Sequence, residues 1–539
     1  MANDWWRGGT IYQIYPRSFQ DTNGNGIGDL PGITKRLDHV ASLGVDAIWL
    51  SPFFTSPMAD MGYDVSDYRD VDPVFGTLDD FRALVDRAHE LDLKVIIDQV
   101  ISHSSDKHPW FTESRSSRDN ARADWYIWAD ANPDGSPPNN WLAVFGGSVW
   151  TWDAARRQYY LHNFLASQPD FNFHNPDVQD AHLDTLKFWL DMGVDGFRLD
   201  TVNYYFHDED LRNNGAVKWN EPRPPINPYD LQDHVYSKTR PENVPFLERL
   251  RALTDEHGAV MVGEVGDPDW RAIDVMAEYT KGEKRLHMAY SFDMLGDTFT
   301  AAFYRRKIEG FFKGAPDGWP CWSFSNHDVP RHVTRWQTHG ESEEAVAKLA
   351  IAMLASFEGS VGIYQGEELG QTDTELEFHE LTDPKGINFW PDEKGRDGCR
   401  TPMIWSAQAE HGGFSEAEPW LPMKAPQAKN AADRQNDDPN SVLAHYREVL
   451  AHRKSSKALM AGKSEFLSLP EPILAFRRVS ADETIMCVFN LREPEIKLTI
   501  AGKFTPVGPI HASIDASTLT LPGSGFVWLR DEGGLSVSL

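Results

Sequence analysis

The chain alternates short apolar runs with amphipathic segments, and this alternation limits the possible folds more than any other feature of the sequence. Helical spacing of apolar residues is clearest at 78–91, 180–192 and 244–257. Strands that alternate with helices form a parallel sheet whose faces the helices cover. Eight such units predict an α/β fold of the (β/α)8, or TIM, barrel type. The eight apolar runs are 10–16, 45–52, 93–100, 196–200, 259–266, 288–293, 321–328 and 361–370.

Two long gaps and one change of pattern divide the chain. Residues 102–174 are rich in Trp, Asn, Asp, Pro and Gly, and structureless loops of that length are rare in compact folds. We therefore predict a small subdomain, residues 104–173, inserted after the third strand, and a second insertion, residues 204–241, after the fourth. From residue 461 short strands with turn signals predict a C-terminal antiparallel β-sandwich, residues 461–539. Residues 1–103 and 174–460 then form the barrel.

Charge and composition exclude several classes of partner. The chain has 52 basic and 81 acidic residues, a net charge of −29, which argues against nucleic acid, anionic membranes and polyanionic substrates. Three distant cysteines, no signal-peptide pattern and no apolar run of membrane-spanning length lead us to expect a soluble, cytoplasmic protein, either monomer or homodimer. The 19 Trp residues suit stacking on sugar rings, although large aromatic cores give the same count.

Acidic residues follow four of the predicted strands. In (β/α)8 barrels, polar residues at the C-terminal ends of the strands line the active site. Each acid alone is also explained as a satisfied buried carboxyl or as a helix N-cap. Together they predict one site at one end of the barrel. The acids are Asp98, Asp200, Glu264 and Asp328, and His103 and His327 lie beside them in the sequence.

The segment around Asp200 indicates which reaction these acids support. Arg198 and Asp200 share one face of their strand, so the cation favours an ionised Asp200, although a structural ion pair gives the same pattern. Glu264 follows the apolar run AVMVG, where burial is expected to keep it protonated. Two carboxyl groups in different protonation states are what glycoside hydrolysis requires, without a metal ion or other cofactor in the chemistry.

Four motifs then identify a family. The segments DQVISH, GFRLD, GEVG and SNHD resemble, in order and spacing, those of the α-amylase superfamily, glycoside hydrolase family 13. QPDFN and YQGEELG resemble its oligo-1,6-glucosidase and α-glucosidase branch. The resemblance covers essentially the whole chain and implies a retaining mechanism. Ser102 departs from the family, which usually has Asn there. The implied roles are nucleophile for Asp200, acid/base for Glu264, transition-state stabiliser for Asp328, and sugar contacts for His103, Arg198 and His327.

The same resemblance suggests how the pocket selects its substrate. Asp60 and Tyr63 lie in DMGYD, and Arg400 lies in GRDGCRTPMIW. In the enzymes that this chain resembles, the Asp and Arg hold the 4-hydroxyl of the terminal glucose and the Tyr stacks on its face. A surface salt bridge with a core tyrosine is the simpler alternative. The pair predicts exo-cleavage of short oligosaccharides or glucosides.

Three further residues are candidates for the pocket wall. Phe145 and Phe164 are expected as apolar walls, or as core of the inserted subdomain. Thr201 directly follows the nucleophile. In the branch that this chain resembles, Thr at this position accompanies α-1,4-active maltases and Val accompanies α-1,6-specific enzymes. One side chain changes specificity by only about 1–3 kcal/mol.

The expected activity is therefore that of an exo-acting α-glucosidase on α-1,4 links, with transglucosylation because a glucosyl intermediate also reacts with sugar acceptors. The alternatives are an oligo-1,6-glucosidase, a sucrose-acting or trehalose-forming member of the superfamily, and a non-catalytic amylase-like subunit. Such subunits carry a membrane helix and lose catalytic acids, whereas this sequence retains Asp200, Glu264 and Asp328.

A separate loop, DTNGNGIGD at 21–29, has the alternating oxygen donors of a cation site. It resembles the first part of an EF-hand loop without its last glutamate, and the related enzymes often hold a structural divalent ion here. One structural Ca²⁺ or Mg²⁺ is expected, and an Asx/Gly turn without metal is the alternative. The predicted ligands are Asp21, Asn23, Asn25, the Ile27 carbonyl and Asp29.

Overall fold

The computed structural model describes residues 4–219, 223–340 and 342–539. The start of the predicted barrel segment, residues 1–3, lies outside the described residues, as do residues 220–222 of the predicted second insertion and residue 341. No helix in the described part of the chain is both long and apolar enough to span a bilayer.

Eight parallel strands form the central sheet, in the order β6-β5-β4-β3-β2-β1-β8-β7. A parallel bridge between Ala289 of β6 and Pro320, just before β7, brings the two edges together. The predicted (β/α)8 barrel is confirmed. The strands are β1 Thr10–Ile14, β2 Ala47–Leu50, β3 Lys94–Gln99, β4 Gly196–Leu199, β5 Val260–Val265, β6 Met288–Ser291, β7 Cys321–Ser323 and β8 Ser360–Tyr364.

Eight helices cover the outside of this barrel, one after each strand. Asp29 caps α1 through Gly32 N, and Thr77 with Asp80 forms a capping box at α2, so the sequence marks where these helices begin. The helices are α1 Leu30–Ser42, α2 Leu78–Glu90, α3 Pro176–Asp191, α4 Asn243–Glu256, α5 Asp269–Thr280, α6 Ala301–Gly314, α7 Glu343–Leu354 and α8 Val442–Ser455. Shorter helices are Pro109–Ser116, His332–Trp336, Pro384–Phe389, Ala432–Asn436 and Lys457–Ala461.

The main hydrophobic core lies between the strands and these helices, and a second cluster fills the barrel interior. Trp49, Ile96, Val262 and Tyr290 belong to the interior cluster. At β4 the backbone of β5 is so close that a Cβ on Gly196 would lie 2.6 Å from the Val260 carbonyl oxygen, which explains the glycine that opens GFRLD.

The segment inserted after β3 has its own small sheet. Strands Trp128–Ala129, Gln158–Leu161 and Trp150–Asp153 are antiparallel, in that order, and a separate cluster of buried residues that includes Trp141 packs on them. An isolated bridge pairs His103 with Asp170 where the segment leaves and rejoins the barrel. This bridge brings the insertion against the C-terminal ends of the barrel strands.

The C-terminal region is one continuous antiparallel sheet of seven strands. One face packs on the barrel through Phe476, Phe489 and Trp528, and the other buries its own cluster, which includes Met486 and Leu519. A β-sandwich was expected to have two separate sheets. Here all seven strands belong to one sheet, which folds over its own buried cluster. In spatial order its strands are Lys463–Phe466, Ile473–Val479, Thr484–Asn490, Phe526–Ser538, Ile496–His511, Thr518–Leu521 and Ser513–Asp515.

Candidate active site

Three neighbouring barrel strands bring acidic side chains to one end of the barrel. Parallel register aligns Asp98 of β3 with Arg198 of β4, and Arg198 with Val262 of β5. Side chains two apart on a strand share a face. Asp200 lies two residues after Arg198, just past the end of β4, and Glu264 lies two residues after Val262 in β5. Both side chains therefore face the barrel interior, on the same side as Arg198.

Arg198 joins these carboxyl groups into one network. Its Nη1 donates to Asp98 Oδ1 at 2.8 Å and to Asp200 Oδ1 at 2.6 Å, and its Nη2 contacts Glu264 Oε2. Nη2 also donates to the Tyr290 hydroxyl at 2.9 Å. The guanidinium is fully buried, and a buried charge is tolerated only where partners surround it. Arg198 and Asp200 are thus part of a larger cluster of acids and not an isolated structural ion pair.

The structure corrects one argument made from the sequence. We expected the cation of Arg198 to favour the charged form of Asp200, and the guanidinium contacts Glu264 as well. Burial raises the pKa of Asp200 above its ordinary value, because the opposing influence of Arg198 and His103 is weaker than the desolvation. The cation alone therefore does not distinguish the nucleophile from the acid/base.

Asp98 supports this network from behind. Burial raises the pKa of Asp98 to about 7, against the lowering influence of Arg198. Its Oδ2 accepts hydrogen bonds from the Tyr63 hydroxyl at 3.1 Å and from Trp49 Nε1 at 3.2 Å. Every polar atom of this carboxyl group is thus engaged, which fits a group that orients Arg198.

Asp328 lies in a positive environment. Its Oδ1 accepts from Arg400 Nη2 at 3.0 Å and Arg396 Nη1 at 3.3 Å, and its Oδ2 lies 3.3 Å from His327 Nε2. Burial acts to raise the pKa of Asp328, but His327, Arg396 and Arg400 outweigh it and hold the pKa below the ordinary value. Burial also lowers the pKa of His327, so the two guanidinium groups supply the positive charge. Asp328 is ionised at neutral pH.

Asp60 and Arg400 form no direct ion pair among the described residues, and their joint hold on the 4-hydroxyl of a terminal glucose stays a prediction. Asp60 Oδ1 accepts instead from Arg396 Nη2 at 2.8 Å, and Arg396 also donates to Asp383 at 2.7 Å. Arg400 donates to the His327 carbonyl at 2.7 Å as well as to Asp328. Arg396 is the N-cap of the 3-10 turn Asp397–Arg400 and Arg400 is its last residue. From these two positions Arg396 contacts Asp60 and Asp328, and Arg400 contacts Asp328 alone of the two.

Tyr63 and His103 are held by the barrel and the inserted segment. The Tyr63 ring stacks on His327, with centroids 5.3 Å apart and planes 7° from parallel, and its hydroxyl bridges His327 and Asp98. His103 Nε2 lies 3.0 Å from the Tyr63 carbonyl oxygen. Gln168, in the QPDFN segment, donates to Asp60 Oδ2 at 3.1 Å. The inserted segment therefore positions two groups of the pocket.

Nine of the predicted residues surround one cavity of about 140 Å³. Phe145 and Phe164 form one wall, with ring centroids 5.6 Å apart, and Arg396 lies over the Phe145 ring at 4.9 Å. Arg198, His327 and Arg400 lie behind the lining and contact it. The nine are Asp60, Tyr63, His103, Phe145, Phe164, Asp200, Thr201, Glu264 and Asp328.

Sequence reasoning missed five residues of this site. Val144 adjoins Phe145, Phe292 follows β6, and Lys385 and Arg396 come from the long segment after β8. Gln168 lies in a motif that we had used only to identify the branch. The signal for Phe292 was its place at a strand end, and that for Arg396 was its place four residues before Arg400 in the same motif.

The side chain of Thr201 connects the nucleophile to Ser102. Thr201 Oγ1 lies 3.3 Å from Asp200 Oδ2 and 3.0 Å from Ser102 Oγ. Its φ of 40° is in the left-handed region, where a β-branched residue is strained. Such strain concentrates at functional sites. Asp200 Oδ1 is bound by Arg198, so Oδ2 is the oxygen that faces only a neutral hydroxyl.

The 21–29 loop is closed by its own hydrogen bonds. Asp21 accepts from the backbone of Asn23, Gly24 and Gly26 and from the Ser415 hydroxyl. Asp29 accepts from Thr22 and caps α1. No group of three or more Asp, Glu, His or Cys side chains arranged for a metal ion occurs among the described residues. The carboxylate oxygens of Asp21 and Asp29 are thus hydrogen-bonded as in the Asx/Gly turn that was the alternative to a metal site. Binding of an ion by this loop stays a prediction.

Known proteins similar to this chain are named as glucosidases. A curated relative from Rhizobium meliloti (strain 1021), named probable alpha-glucosidase, is 57% identical over 496 residues, which cover 91% of this chain and 90% of the relative. An oligo-1,6-glucosidase from Halalkalibacterium halodurans is 35% identical and covers 91% of both chains.

Two solved enzyme structures resemble this chain over nearly its full length. An alpha-glucosyl transfer enzyme, XgtA, superposes with a TM-score of 0.95 at 50% identity, over 98% of this chain and 99% of that one. The trehalulose synthase MutB from Pseudomonas mesoacidophila MX-45 superposes with a TM-score of 0.87 at 31% identity, over 99% of both. The model of the alpha-amylase catalytic domain matches residues 13–462. With its barrel, inserted segment and clustered acids, the chain belongs to the alpha-amylase family, glycoside hydrolase family 13.

Proposed function

We propose that this enzyme is a retaining, exo-acting α-glucosidase that releases α-glucose from the non-reducing end of short α-glucosides. The observation that carries the proposal is the contact of one buried guanidinium, Arg198, with both Asp200 and Glu264 beside a small cavity. This contact places the two carboxyl groups on one cation beside the same cavity, and a retaining mechanism requires them about 5–5.5 Å apart.

The chemistry follows from the position of each group. Asp200 Oδ2 attacks the anomeric carbon of the glucosyl unit, and the glycosidic C–O bond breaks as protonated Glu264 gives its proton to the leaving oxygen. Glu264, now ionised, takes a proton from water, whose oxygen attacks the same carbon and releases Asp200. Ionised Asp328 stabilises the positive charge that develops on the sugar ring in both steps. Two inversions leave the product in its original α configuration.

Exo-cleavage is supported by the groups that close the cavity. Arg396 ties Asp60 to Asp328 across the lining, next to the Phe145 ring. Arg400 lies just behind Asp328, which it contacts through Nη2, and its Nη1 is a buried donor without a hydrogen-bond partner among the described residues. We propose that a hydroxyl of the bound sugar accepts from this Nη1. A cavity of about 140 Å³ with charged walls accommodates the end of a chain rather than its middle.

Linkage preference and acceptor choice are finer parts of the proposal. Thr201 lines the cavity beside the nucleophile, and we assign it the preference for α-1,4 over α-1,6 links. Transglucosylation is supported by the similarity to an alpha-glucosyl transfer enzyme. The similarity to a trehalulose synthase keeps sucrose among the substrates to be tested. Cytoplasmic location and a monomeric or homodimeric state stay predictions.

Timed product analysis tests the proposal on maltose, isomaltose, sucrose, trehalose and starch. We expect glucose from maltose faster than from isomaltose, the α-anomer of glucose as the first product, and new oligosaccharides at high substrate concentration. Asp200→Asn and Glu264→Gln should each remove this activity. Release of internal fragments from starch with little action on maltose would contradict exo-cleavage, and the β-anomer as first product would contradict the retaining mechanism.

A further inference from the structure

A chain of hydrogen-bonded groups behind the cavity wall leads from His103 to the nucleophile. His103 Nδ1 lies 2.9 Å from Ser102 Oγ, Ser102 Oγ lies 3.0 Å from Thr201 Oγ1, and Thr201 Oγ1 lies 3.3 Å from Asp200 Oδ2. Ser102 is 2% exposed and Thr201 is 7% exposed. Because water has little access, each hydroxyl depends on its protein partners.

The protons along this chain have a fixed order. His103 Nε2 lies 3.0 Å from the Tyr63 carbonyl oxygen and 3.2 Å from Gln168 Nε2. The carbonyl oxygen is nearer and can only accept, and Gln168 Nε2 already donates to Asp60, so we place the ring proton on Nε2. Burial lowers the pKa of His103 and keeps the ring neutral, so Nδ1 accepts from Ser102. The Ser102 oxygen is then left to accept from Thr201. The Thr201 hydroxyl thus has one proton and two acceptors, Ser102 Oγ and Asp200 Oδ2.

These contacts decide how the Thr201 side chain is turned. Threonine carries a methyl and a hydroxyl group on one carbon, and rotation about χ1 exchanges their positions. The backbone of Thr201 is held at a strained φ. The hydrogen bonds of its hydroxyl therefore select the χ1 rotamer of the side chain. Among the described residues, Thr201 lines the cavity, whereas Ser102 lies behind it and is not part of the lining. Ser102 can therefore act on the substrate through its two lining neighbours, Thr201 and His103, and Thr201 is the neighbour beside the nucleophile.

We infer that Ser102 is a positioning residue for linkage choice: its hydroxyl, held by His103, fixes whether the methyl or the hydroxyl group of Thr201 meets the sugar on the leaving side of the bond. Without this hydroxyl, χ1 of Thr201 is selected only by the longer contact to Asp200. The preference between α-1,4 and α-1,6 links then weakens. This inference deepens the proposed α-glucosidase function and rests on it.

A double-mutant cycle tests the inference, with kcat and KM measured on maltose and on isomaltose. We expect Ser102→Ala to lower the maltose-to-isomaltose ratio of kcat/KM by roughly fivefold to thirtyfold, the loss expected for one buried hydrogen bond. In a Thr201→Val background the same substitution should change the ratio less than about twofold, because Val offers no hydroxyl to position. Ser102→Thr should restore most of the wild-type ratio.

The control is Ser104→Ala, which removes a neighbouring buried hydroxyl that bonds to the Tyr126 hydroxyl at 2.7 Å and should leave the ratio unchanged. Melting temperatures of all variants separate folding defects from changes in specificity. An unchanged ratio in Ser102→Ala, or an equal change with and without Thr201, would overturn the inference. A wild-type enzyme inactive on every α-glucoside would instead overturn the proposed function.

Discussion

At the scale of single residues, Arg198 determines how the site is charged. One buried guanidinium contacts Asp98, Asp200 and Glu264. Asp98 and Asp200 share its Nη1, and burial raises the pKa of both, so these two acids titrate as a pair rather than independently. Asp328 is separate, because Arg396 and Arg400 hold it ionised. The site therefore contains one permanently charged carboxylate and a cluster whose protonation changes with pH.

The pH dependence of activity should reflect this cluster. Asp200 attacks only when ionised, and burial raises its pKa, so kcat/KM should fall with decreasing pH at a midpoint above the ordinary aspartate value of about 3.9. The measurement is kcat/KM against pH with maltose and with an aryl glucoside, in the range where the protein stays folded. Both substrates should give the same acid limb. A midpoint at or below the ordinary value would contradict the raised pKa of Asp200.

Arg396 gives a second prediction at this scale. Arg396→Gln should leave Asp60, Asp383 and Asp328 short of a partner, and losing one partner of a buried charge pair costs about 2–5 kcal/mol. Because Asp60 and Asp328 line the cavity, part of this cost should fall on substrate binding, and we expect KM for maltose to rise roughly tenfold, about 1.4 kcal/mol. The matched control is Arg82→Gln, which breaks an exposed pair with Asp79 and should leave KM unchanged. A KM unchanged in Arg396→Gln would show that this residue does not hold the substrate side of the pocket.

At the scale of elements, the loops after the strands do more than connect them. The inserted segment supplies Gln168 and the Phe164 wall, and the segment after β8 supplies Lys385 and Arg396. The loop after β4 is fastened to β5 by Lys238, whose buried ammonium group donates to the Gly266 carbonyl and to the Tyr204 hydroxyl. The barrel thus fixes the catalytic acids, and the loops shape what can approach them.

The 21–29 loop is the element whose ligand is still to be tested. If it binds a structural Ca²⁺ or Mg²⁺, chelation should lower the melting temperature and leave kcat almost unchanged, because binding to the folded state stabilises it. Elemental analysis should find one ion per chain. In an Asn23→Ala, Asn25→Ala variant the chelator should lose its effect. An unchanged melting temperature with no ion detected would leave the hydrogen-bonded turn as the full account of the loop.

At the scale of the whole molecule, one buried arginine, Arg478, fastens the C-terminal sheet to the barrel, and a second, Arg453, ties helix α8 to the barrel strands. Arg453 of α8 donates to the carbonyl oxygens of Gly8 and Gly359, and Arg478 of the sheet donates to those of Ser356 and Gly462. Burial lowers the pKa of Arg453 to about 9 and that of Arg478 to about 10. These cations bind carbonyl groups that the fold otherwise leaves unpaired.

Removing one of these contacts should destabilise the protein without changing the chemistry. We expect Arg478→Met to lower the free energy of unfolding by about 3 kcal/mol, because buried carbonyl groups lose a charged donor. Arg477→Met is the control, since its half-buried side chain donates only to the Leu535 carbonyl, and it should cost about 1 kcal/mol or less. Thermal melts measure both, with kcat well below the melting temperature as a check. Equal losses would mean that the sheet does not depend on Arg478.

Much of the fold could be predicted because each barrel strand has its own local signal. The predicted run 93–100 contains β3, Lys94–Gln99, and 259–266 contains β5, Val260–Val265. Runs were too long where buried residues continue past the strand. The run 361–370 is an example, because the strand there is Ser360–Tyr364, which begins one residue before the run and ends six residues before its end. Apolar character reports burial rather than backbone pairing, so it could not locate that end.

The sequence by itself determined the barrel, the four acids at its strand ends and the residue types of a glycosidase site, because apolar periodicity and strand-end position are local properties. Only the tertiary structure decided that Arg396 rather than Arg400 pairs with Asp60, that Arg198 contacts Glu264 as well as Asp200, and that Ser102 reaches the nucleophile through Thr201. Each of these depends on side chains from distant segments meeting in space. No spacing along the chain records such a meeting.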